Sequence, residues 1–278
     1  MTEPSTETAP APTGRLAIGI DVGGSGIKAA VVDIDAGRFV GDRLRVVTPN
    51  PATPEAVIAS IGRLVRRLAK AHSLDTTTPI GVGLPGVALG DTLRTAANID
   101  PSWVDFPVVE RLRKATARPV RIVNDADAAG IAEMRFGVGK DRSGVVIFLT
   151  LGTGVGSGVF VDGILVPNTE FGQMEIRGRA AERRSAAAAR IRRGLSWKAW
   201  AQDLDEHLHK IDELIWPTLM ILGGGVSKRG DRFIPRLTQR CPVVAAELRN
   251  DAGIVGAAIV AVEGIGRPTD TTHAVPAT

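Results

Sequence analysis

A glycine-rich turn near the start of the chain carries residue types that suit phosphate chemistry. An apolar run is followed by Asp21, then by Gly23-Gly24-Ser25, and then by Lys28. Because glycines lack a Cβ, successive backbone N–H groups in such a turn can form a concave anion site. A carboxylate beside it suits Mg²⁺ that is carried by phosphates, and the lysine adds positive charge. The stretch therefore predicts a phosphate site with Mg²⁺ near Asp21.

A second glycine-rich stretch repeats this order further along the chain. Residues 145–163 run from an apolar segment through Gly152-Thr153-Gly154 into a second apolar segment and an Asp-Gly turn. Two such hairpins indicate two similar lobes that hold a phosphate chain between them. For one hairpin alone, a plain glycine-rich turn is the better interpretation. The pair, with the acid and the lysine of the first copy, favours phosphate binding.

The composition limits the classes of protein to which the chain can belong. Its 278 residues suffice for one large or two medium domains, and 44% hydrophobic residues allow a proper core. The formal net charge of +4 is compatible with a polyanionic partner without requiring one. No nucleic-acid-binding motif is visible. The single cysteine, Cys241, excludes intrachain disulfides and any Cys-rich zinc site.

Both ends of the sequence have the composition of disordered tails. Residues 1–14 are polar and Pro-rich, without the basic and apolar regions of a signal peptide, and residues 266–278 are similar. No apolar run is long enough to span a membrane. The sequence therefore predicts a cytoplasmic protein with neither a membrane nor a nucleic acid as partner.

The hydrophobic periodicity predicts an α/β fold with a mixed sheet. A helix at 54–71 has an apolar stripe, and its arginines lie off that stripe. The expected order before the second hairpin is β-β-β-α-β-α-β-α. Later helices are expected at 195–214, 233–237 and 251–262, and the last should return to the first lobe.

Nine short motifs, taken in order, carry a resemblance to a known family. They are GIDVGGSGIKAAVVD, VGLPGV, AANIDPSW, NDADAAG, LTLGTGVGSG, PNTEFG, GLSW, MILGGGVSK and LRNDAGIVGAA. Each is weak alone, but the ordered set runs from Leu16 to about Val262 and is highly specific. The chain resembles the ROK family of sugar kinases, and within that family it is similar to the bacterial polyphosphate glucokinases.

The resemblance implies a two-lobed actin-like, hexokinase-type ATPase fold, with ribonuclease H-like lobes and a sugar in the interlobe cleft. The N-terminal lobe is expected at 15–122 plus 251–265, and the C-terminal lobe at 123–250. The residues expected to bind the sugar are Gly86, Asn98, Asn124, Asp125, Glu170, Gln173 and Glu182. Those expected to bind phosphates or the nucleotide are Asp21, Gly23, Gly24, Ser25, Lys28, Gly152, Thr153, Gly154, Gly224, Gly225 and Lys228.

Asp125 corresponds to the catalytic base of the family. A sugar hydroxyl is a poor nucleophile, so a carboxylate must accept its proton as the phosphorus is attacked, which contributes roughly 10²–10⁴-fold. The alternative is that Asp125 only caps the helix that follows it. Asp127 is an equally good capping candidate, so Asp125 is favoured as the base.

Two features depart from the wider family. The Cys-x-Cys-type zinc ligands that usually follow the sugar loop are missing, as in the polyphosphate branch, so no zinc is expected. The loop is Glu-x-Gly-His in the relatives, whereas Gln173 takes the place of that histidine here. Glutamine offers a donor and an acceptor but cannot carry charge.

An arginine-rich stretch, residues 177–198, follows the sugar loop directly. Most such charge runs are solvated basic helices, and that alternative stays open. Arginine binds phosphate oxygens as a planar fork, and a polyphosphate chain can use a longer track than ATP. The side chains assigned to this polyphosphate track are Arg183, Arg184, Arg192 and Arg193.

The resemblance and the residues together predict a glucokinase. The expected donors are inorganic polyphosphate and ATP, with Mg²⁺, and the expected acceptor is the 6-hydroxyl of glucose. A homodimer is expected as well. The alternatives are an ATP-dependent kinase for another hexose such as mannose, and a catalytically weak sugar or polyphosphate sensor. The four histidines, which lack metal-ligand spacing, are interpreted as solvated: His72, His207, His209 and His273.

Overall fold

The computed structural model describes residues 14–96 and 99–265. Its first half contains β1 (Leu16–Gly23), β2 (Gly26–Asp33), β3 (Arg38–Val46), α1 (Pro54–Ala71), β4 (Ile80–Leu84), β5 (Ala88–Leu89), β6 (Thr92–Leu93), α2 (Val108–Thr116), β7 (Val120–Asn124) and α3 (Asp125–Phe136). Its second half contains β8 (Val145–Leu151), β9 (Val155–Val161), β10 (Ile164–Val166), β11 (Glu175–Ile176), β12 (Arg179–Ala180), α4 (Glu182–Ser185), α5 (Ala187–Arg192), α6 (Trp197–Ile215), β13 (Leu219–Gly223), β14 (Val243–Ala245) and α7 (Ala252–Glu263).

The predicted order of elements is confirmed, and the small hairpin β5–β6 is added to it. The helix expected at 233–237 is only a short 3₁₀ turn, Ile234–Arg236. The tails predicted at 1–14 and 266–278 lie outside the described residues, apart from Gly14. Within the described part, no helix has the length and apolarity to cross a membrane.

Two five-stranded sheets share one plan. The first has the strand order β3-β2-β1-β4-β7 and the second has the order β10-β9-β8-β13-β14. In each sheet, one half consists of antiparallel strands that hairpins connect, and the other half consists of parallel strands. The strand that pairs with both halves is β1 in the first sheet and β8 in the second. The two similar lobes that the repeated hairpins predicted are therefore present. The lobe boundaries themselves stay a prediction.

Each sheet is apolar on both faces, because successive side chains of a strand point to opposite sides. In β1, Ile18 packs with α1 and α2, whereas Ala17 packs with α3 and α7. In β8, Phe148 packs with α3 and α7, whereas Leu149 packs with α6. The layers therefore run from α1 and α2 through the first sheet, the α3–α7 pair and the second sheet to α6.

Glycines allow α7 to approach its neighbours at backbone distance. A Cβ on Gly256 of α7 would lie 1.6 Å from the carbonyl oxygen of Ala128 in α3. On β4, a Cβ on Gly81 would lie 1.7 Å from the carbonyl oxygen of Ala257. Real Cβ atoms do not approach oxygen this closely, so both positions require glycine. The small-residue sequence of α7 is thus explained by its place between the sheets.

The parallel strands of both sheets end at the same place. In the first sheet β4 and β7 end at Leu84 and Asn124, and in the second β8 and β13 end at Leu151 and Gly223. Ligands of open α/β sheets bind outside the carboxyl ends of such strands. The fold therefore directs the candidate residues that follow these strands toward one cleft.

Gly256→Ala is expected to lower the free energy of unfolding by about 1–3 kcal/mol, because the new methyl overpacks the contact with Ala128. The matched control is Gly62→Ala in α1, where the nearest atom to a new Cβ is the Arg66 Nη1, at 3.4 Å. The free energy of unfolding of this control should rise by about 0.5–1 kcal/mol, because alanine has the higher helix propensity. Urea unfolding of both variants tests the difference, and equal shifts would contradict the packing argument.

Candidate active site

Asp125 lies where β7 ends and α3 begins. The preceding residue, Asn124, caps α3, since its side-chain oxygen accepts hydrogen bonds from the N–H groups of Ala126 (2.9 Å) and Asp127 (3.0 Å). The Asn124 amide also donates to the Gly86 carbonyl (3.1 Å). The capping role considered for Asp125 and Asp127 is therefore wrong. Asn124 satisfies the helix start, which leaves the Asp125 carboxylate to face the cleft.

Burial and neighbouring charges make Asp125 an unusually basic carboxylate. Several effects raise the pKa of Asp125 to about 7. Desolvation by burial is the largest cause, the negative charge of Asp21 is the second, and the charges of Glu170 and Asp127 add to them. The hydrogen bond from the Ala126 N–H (2.9 Å) opposes this shift. A carboxyl group whose pKa lies near neutrality is suited to accept and release a proton.

A cleft of about 340 Å³ opens in front of Asp125. It brings together glycine-rich turns and carboxylates from both halves of the chain. The predicted site residues that line it are Asp21, Gly23, Gly24, Ser25, Lys28, Gly86, Asn124, Asp125, Gly152, Thr153, Gly154, Glu170, Gln173, Glu182, Gly224 and Gly225. Asn98, which was also predicted to bind the sugar, lies outside the described residues.

Part of the cleft lining consists of backbone at glycine-rich turns. A Cβ at Gly152 or at Gly225 would meet no atom within 4 Å, so both turns border open space. Gly224 has φ +81°, and a Cβ there would lie 2.6 Å from the carbonyl oxygen of Leu151. Such turns can bind an anion through backbone N–H groups. In the described part of the chain, no group of three or more His, Cys, Asp or Glu residues is placed to hold a metal ion.

The first hairpin adds a pair of charges to the cleft lining. The Lys28 Nζ donates to the Asp21 Oδ2 at 2.7 Å, and both side chains are largely buried. The pair keeps an ammonium group beside the glycine turn while the carboxylate stays near Asp125. This arrangement suits a phosphate group that carries its own cation.

The cleft is also lined by carboxylates and an amide. The Gln173 Nε2 donates to the Glu182 Oε1 (3.1 Å), and the Val155 N–H donates to the Glu182 Oε2 (3.0 Å). Gln173 therefore orients Glu182. Burial, with a smaller contribution from the charge of Glu182, raises the pKa of Glu170. Carboxylates and amides in this arrangement can accept and donate hydrogen bonds to sugar hydroxyls.

His207 holds the loop of Glu170 and Gln173 from behind. The interpretation of His207 as solvated is wrong, because its side chain is only 1% exposed. Its Nε2 lies 2.9 Å from the Phe171 carbonyl oxygen, and its Nδ1 lies 2.9 Å from the Ser185 Oγ. A carbonyl can only accept, so Nε2 carries the proton and Nδ1 accepts from the Ser185 hydroxyl.

The sequence signal that indicates a buried His207 is the apolar face of α6. His207 follows Trp200 and Leu204 at helical spacing, and both of these are fully buried. Burial also lowers the pKa of His207, which favours the neutral ring that these two hydrogen bonds require. His207 therefore acts as a buried support for the loop.

The cleft lining also includes residues around the start of α7 that were not singled out from the sequence. Arg249, Asn250 and Gly253 line the cleft just before and within the start of α7. A Cβ on Gly253 would lie 3.3 Å from the Asp21 Cγ, so α7 begins against this carboxylate. The sequence signal that could have identified them is their position at the start of a helix, because helix N-termini favour the binding of anions.

Five predicted residues do not reach the cleft. Lys228 lines a separate surface groove with Arg249, so the geometry does not support its assignment to the phosphates. Arg184 and Arg193 both bind the Asp203 carboxylate. The other two members of the predicted track, Arg183 and Arg192, are exposed.

The arginine-rich stretch also differs from one solvated helix. It forms the hairpin β11–β12 followed by the short helices α4 and α5. Two members of the predicted track are occupied by Asp203, so the four arginines do not form a continuous row of unpaired cations.

The two sheets share the same plan of strand pairing, and glycine-rich turns and carboxylates line the cleft. Together with the similar solved structures, these features define the two-lobed, hexokinase-type fold. The sequence profile of the ROK family matches residues 17–174. The chain belongs to the ROK family.

Similar proteins match nearly the whole chain. It is 45% identical to a polyphosphate glucokinase of Mycobacterium tuberculosis over 97% of each chain. It is 43% identical to the polyphosphate glucokinase of Mycobacterium leprae, over 98% of this chain and 81% of that one.

Solved structures show the same similarity. The inorganic polyphosphate/ATP-glucomannokinase of Arthrobacter sp. strain KM has a TM-score of 0.86 and 46% identity, over 88% of this chain and 97% of that one. A ROK family glucokinase from Streptomyces griseus, in complex with glucose and AMPPNP, has a TM-score of 0.77 and 26% identity, over 88% and 99%.

His207→Phe is expected to lower the free energy of unfolding by about 1–3 kcal/mol, because the Phe171 carbonyl loses its buried partner. His209→Phe on the same helix is the control, since this side chain is 41% exposed, and should change stability by less than about 0.5 kcal/mol. Urea unfolding at pH 7 measures both.

The pH dependence gives a second readout for His207. Because its pKa is lowered in the folded state, the unfolded chain binds more protons near its ordinary pKa of about 6.5, so stability falls as the pH drops through that value. The His207→Phe variant should lack this part of the loss. Identical pH profiles for the two proteins would show that His207 is not buried as a neutral ring.

Proposed function

We propose that this chain transfers a phosphoryl group from inorganic polyphosphate, and from ATP, to the 6-hydroxyl of glucose. The observation that carries the proposal is the shared cleft of the Asp125 carboxylate and three glycine-rich turns. The donors are supported by the relatives, which include polyphosphate glucokinases and a polyphosphate/ATP-glucomannokinase. Glucose is supported by the same relatives and by the glucokinase from Streptomyces griseus.

In this proposal Asp125 accepts the proton of the sugar 6-hydroxyl. The oxygen forms a bond to the terminal phosphorus as the bond from that phosphorus to the bridging oxygen breaks. The bridging oxygen leaves with the electron pair, on a polyphosphate one unit shorter or on ADP. The proton stays on the Asp125 carboxyl until solvent removes it. A general base contributes roughly 10²–10⁴-fold.

The turns and Lys28 bind and orient the donor. Backbone N–H groups of the turns at Gly152 and Gly225 stabilise the charge on the phosphate oxygens. Mg²⁺ that arrives with the phosphates fits Asp21, a carboxylate that faces the cleft and already holds an ammonium group. When bound, the ion would neutralise charge on the donor.

The carboxylates Glu170 and Glu182 bind the sugar hydroxyls, and Gln173 keeps Glu182 in place. Mannose is a second candidate acceptor, because the similar Arthrobacter structure is that of a glucomannokinase. The homodimer and the cytoplasmic location remain predictions of the sequence.

A coupled assay for hexose 6-phosphate tests the proposal. The purified full-length chain is given glucose or mannose, with polyphosphate or ATP as separate donors and Mg²⁺ present. Turnover of glucose with polyphosphate is expected. If neither donor supports turnover while the protein still binds sugar, the proposal is wrong and the sensor alternative is favoured.

Asp125→Asn is expected to lower kcat about 10²–10⁴-fold with little change in glucose affinity, because the amide cannot accept the proton. The matched control is Asp127→Asn, a buried carboxyl outside the cleft lining whose Oδ2 accepts from the Asn168 N–H (2.8 Å). It should cost less than about tenfold. Steady-state kinetics and glucose titration of both variants measure this, and near wild-type turnover of Asp125→Asn would remove Asp125 as the base.

A further inference from the structure

A second groove adjoins the cleft at Gly225. It is lined by Ala187, Arg190, Ile191, Trp197, Gly225, Val226, Arg229 and Arg232. Gly225 lines the cleft as well, so the two openings meet at this residue. The Ala188 N–H donates to the Gly152 carbonyl (3.0 Å), which fixes the start of α5 against the second phosphate turn. The groove therefore starts beside the turns that bind the reacting phosphates.

Three arginines give this groove a positive charge that no carboxylate among its lining residues offsets. The Arg229 side chain is exposed and makes no hydrogen bond or ion pair with any described residue. Arg232 contacts the carboxylate of its neighbour Asp231 at 3.3 Å, and both side chains are more than half exposed. These guanidinium groups are accessible to an anion from outside.

The groove that is lined by Lys228 and Arg249 has a different charge pattern. Its basic residues are interleaved with Asp42, Glu247 and Asp251. The Arg43 Nη1 is already paired with the Asp251 Oδ1 at 2.6 Å. A long polyanion would meet repulsive carboxylates there, so the arginine groove beside Gly225 is the better path.

The aromatic ring in the arginine groove is already in contact with protein groups. The Arg190 guanidinium carbon lies 4.0 Å from the centre of the Trp197 ring, and Phe233 stacks on the same ring with 13° between planes. The Arg190 Nη1 also donates to the Leu195 carbonyl (3.2 Å), which holds the guanidinium in place. The groove therefore offers positioned planar N–H donors, which suit phosphate oxygens better than a stacked base.

We propose that a long polyphosphate donor leaves the cleft past Gly225 and binds along this groove to Arg190, Arg229 and Arg232. The inference rests on the proposed function and specifies where the distal phosphates of the donor bind. It replaces the track of Arg183, Arg184, Arg192 and Arg193, two of which are engaged by Asp203. The groove favours a long polyphosphate, because a row of phosphates can contact several guanidinium groups at once.

The test compares two double variants of the full-length protein that lose the same charge. In one, Arg229→Gln is combined with Arg232→Gln; in the control, Arg183→Gln is combined with Arg192→Gln. The KM and kcat for long-chain polyphosphate, tripolyphosphate and ATP are measured at saturating glucose. The groove variant should raise the KM for long-chain polyphosphate about tenfold, since exposed charge contacts are each worth a few-fold. Its kcat and its KM for the two short donors should stay within about twofold.

Salt dependence gives a second readout. Each phosphate contact makes binding weaker as salt rises, so the KM of the unmodified protein for long-chain polyphosphate should rise more steeply with salt than that of the groove variant. The control variant should keep the steep dependence of the unmodified protein.

The outcomes separate this inference from the proposed function. An unmodified protein that does not use polyphosphate contradicts the proposed function and the groove together. Turnover with polyphosphate but an unchanged KM in the groove variant contradicts the groove alone. An equal rise for ATP and tripolyphosphate would assign the arginines to the reacting phosphates or the nucleotide, and an equal rise in the control variant would leave only an effect of net charge.

Discussion

The crossing of α3 and α7 is the packing constraint on which the cleft depends. Gly256 lets the two helix backbones touch at Ala128, and both helices lie between the sheets. Because α3 starts with Asp125 and α7 starts against Asp21, the same contact sets how close the two carboxylates lie. The basicity of Asp125 is therefore a consequence of backbone packing as well as of its own burial.

This arrangement trades stability for reactivity. The pKa of Asp125 is raised to about 7 in the folded protein, from 3.8 for an ordinary aspartate. The neutral Asp125 carboxyl therefore makes its full contribution to the free energy of unfolding below about pH 4. This contribution is lost as the pH rises through about 7, because the folded protein must then hold a desolvated charge. Such costs are common at functional sites, where a strained or poorly solvated group supplies the chemistry.

Local sequence signals predicted most of the fold and the cleft. Glycine turns after apolar runs predicted both glycine-rich hairpins, and the helix at 54–71 was predicted with the bounds that it has. The repeat of the hairpin predicted two lobes of one plan. These features depend on periodicity and on residues close in sequence, so a single sequence contains them.

The remaining features depend on contacts between distant residues. His207 meets Phe171 across 36 positions, and Arg184 meets Asp203 across 19, so these partners follow from tertiary packing. The cap at Asn124 was missed because three neighbouring polar residues could each cap α3, and only the backbone geometry selects one. The arginine groove likewise joins α5 to the segment after β13.

The most direct test of the account is a titration of the Asp125 carboxyl carbon by ¹³C NMR, with Asp125→Asn to assign the signal. The account predicts a midpoint at about pH 7. It also predicts a lower midpoint in Asp21→Asn, because a neighbouring negative charge is removed. A midpoint near 4 in the unmodified protein would show an ordinary, solvated carboxylate and would contradict the account.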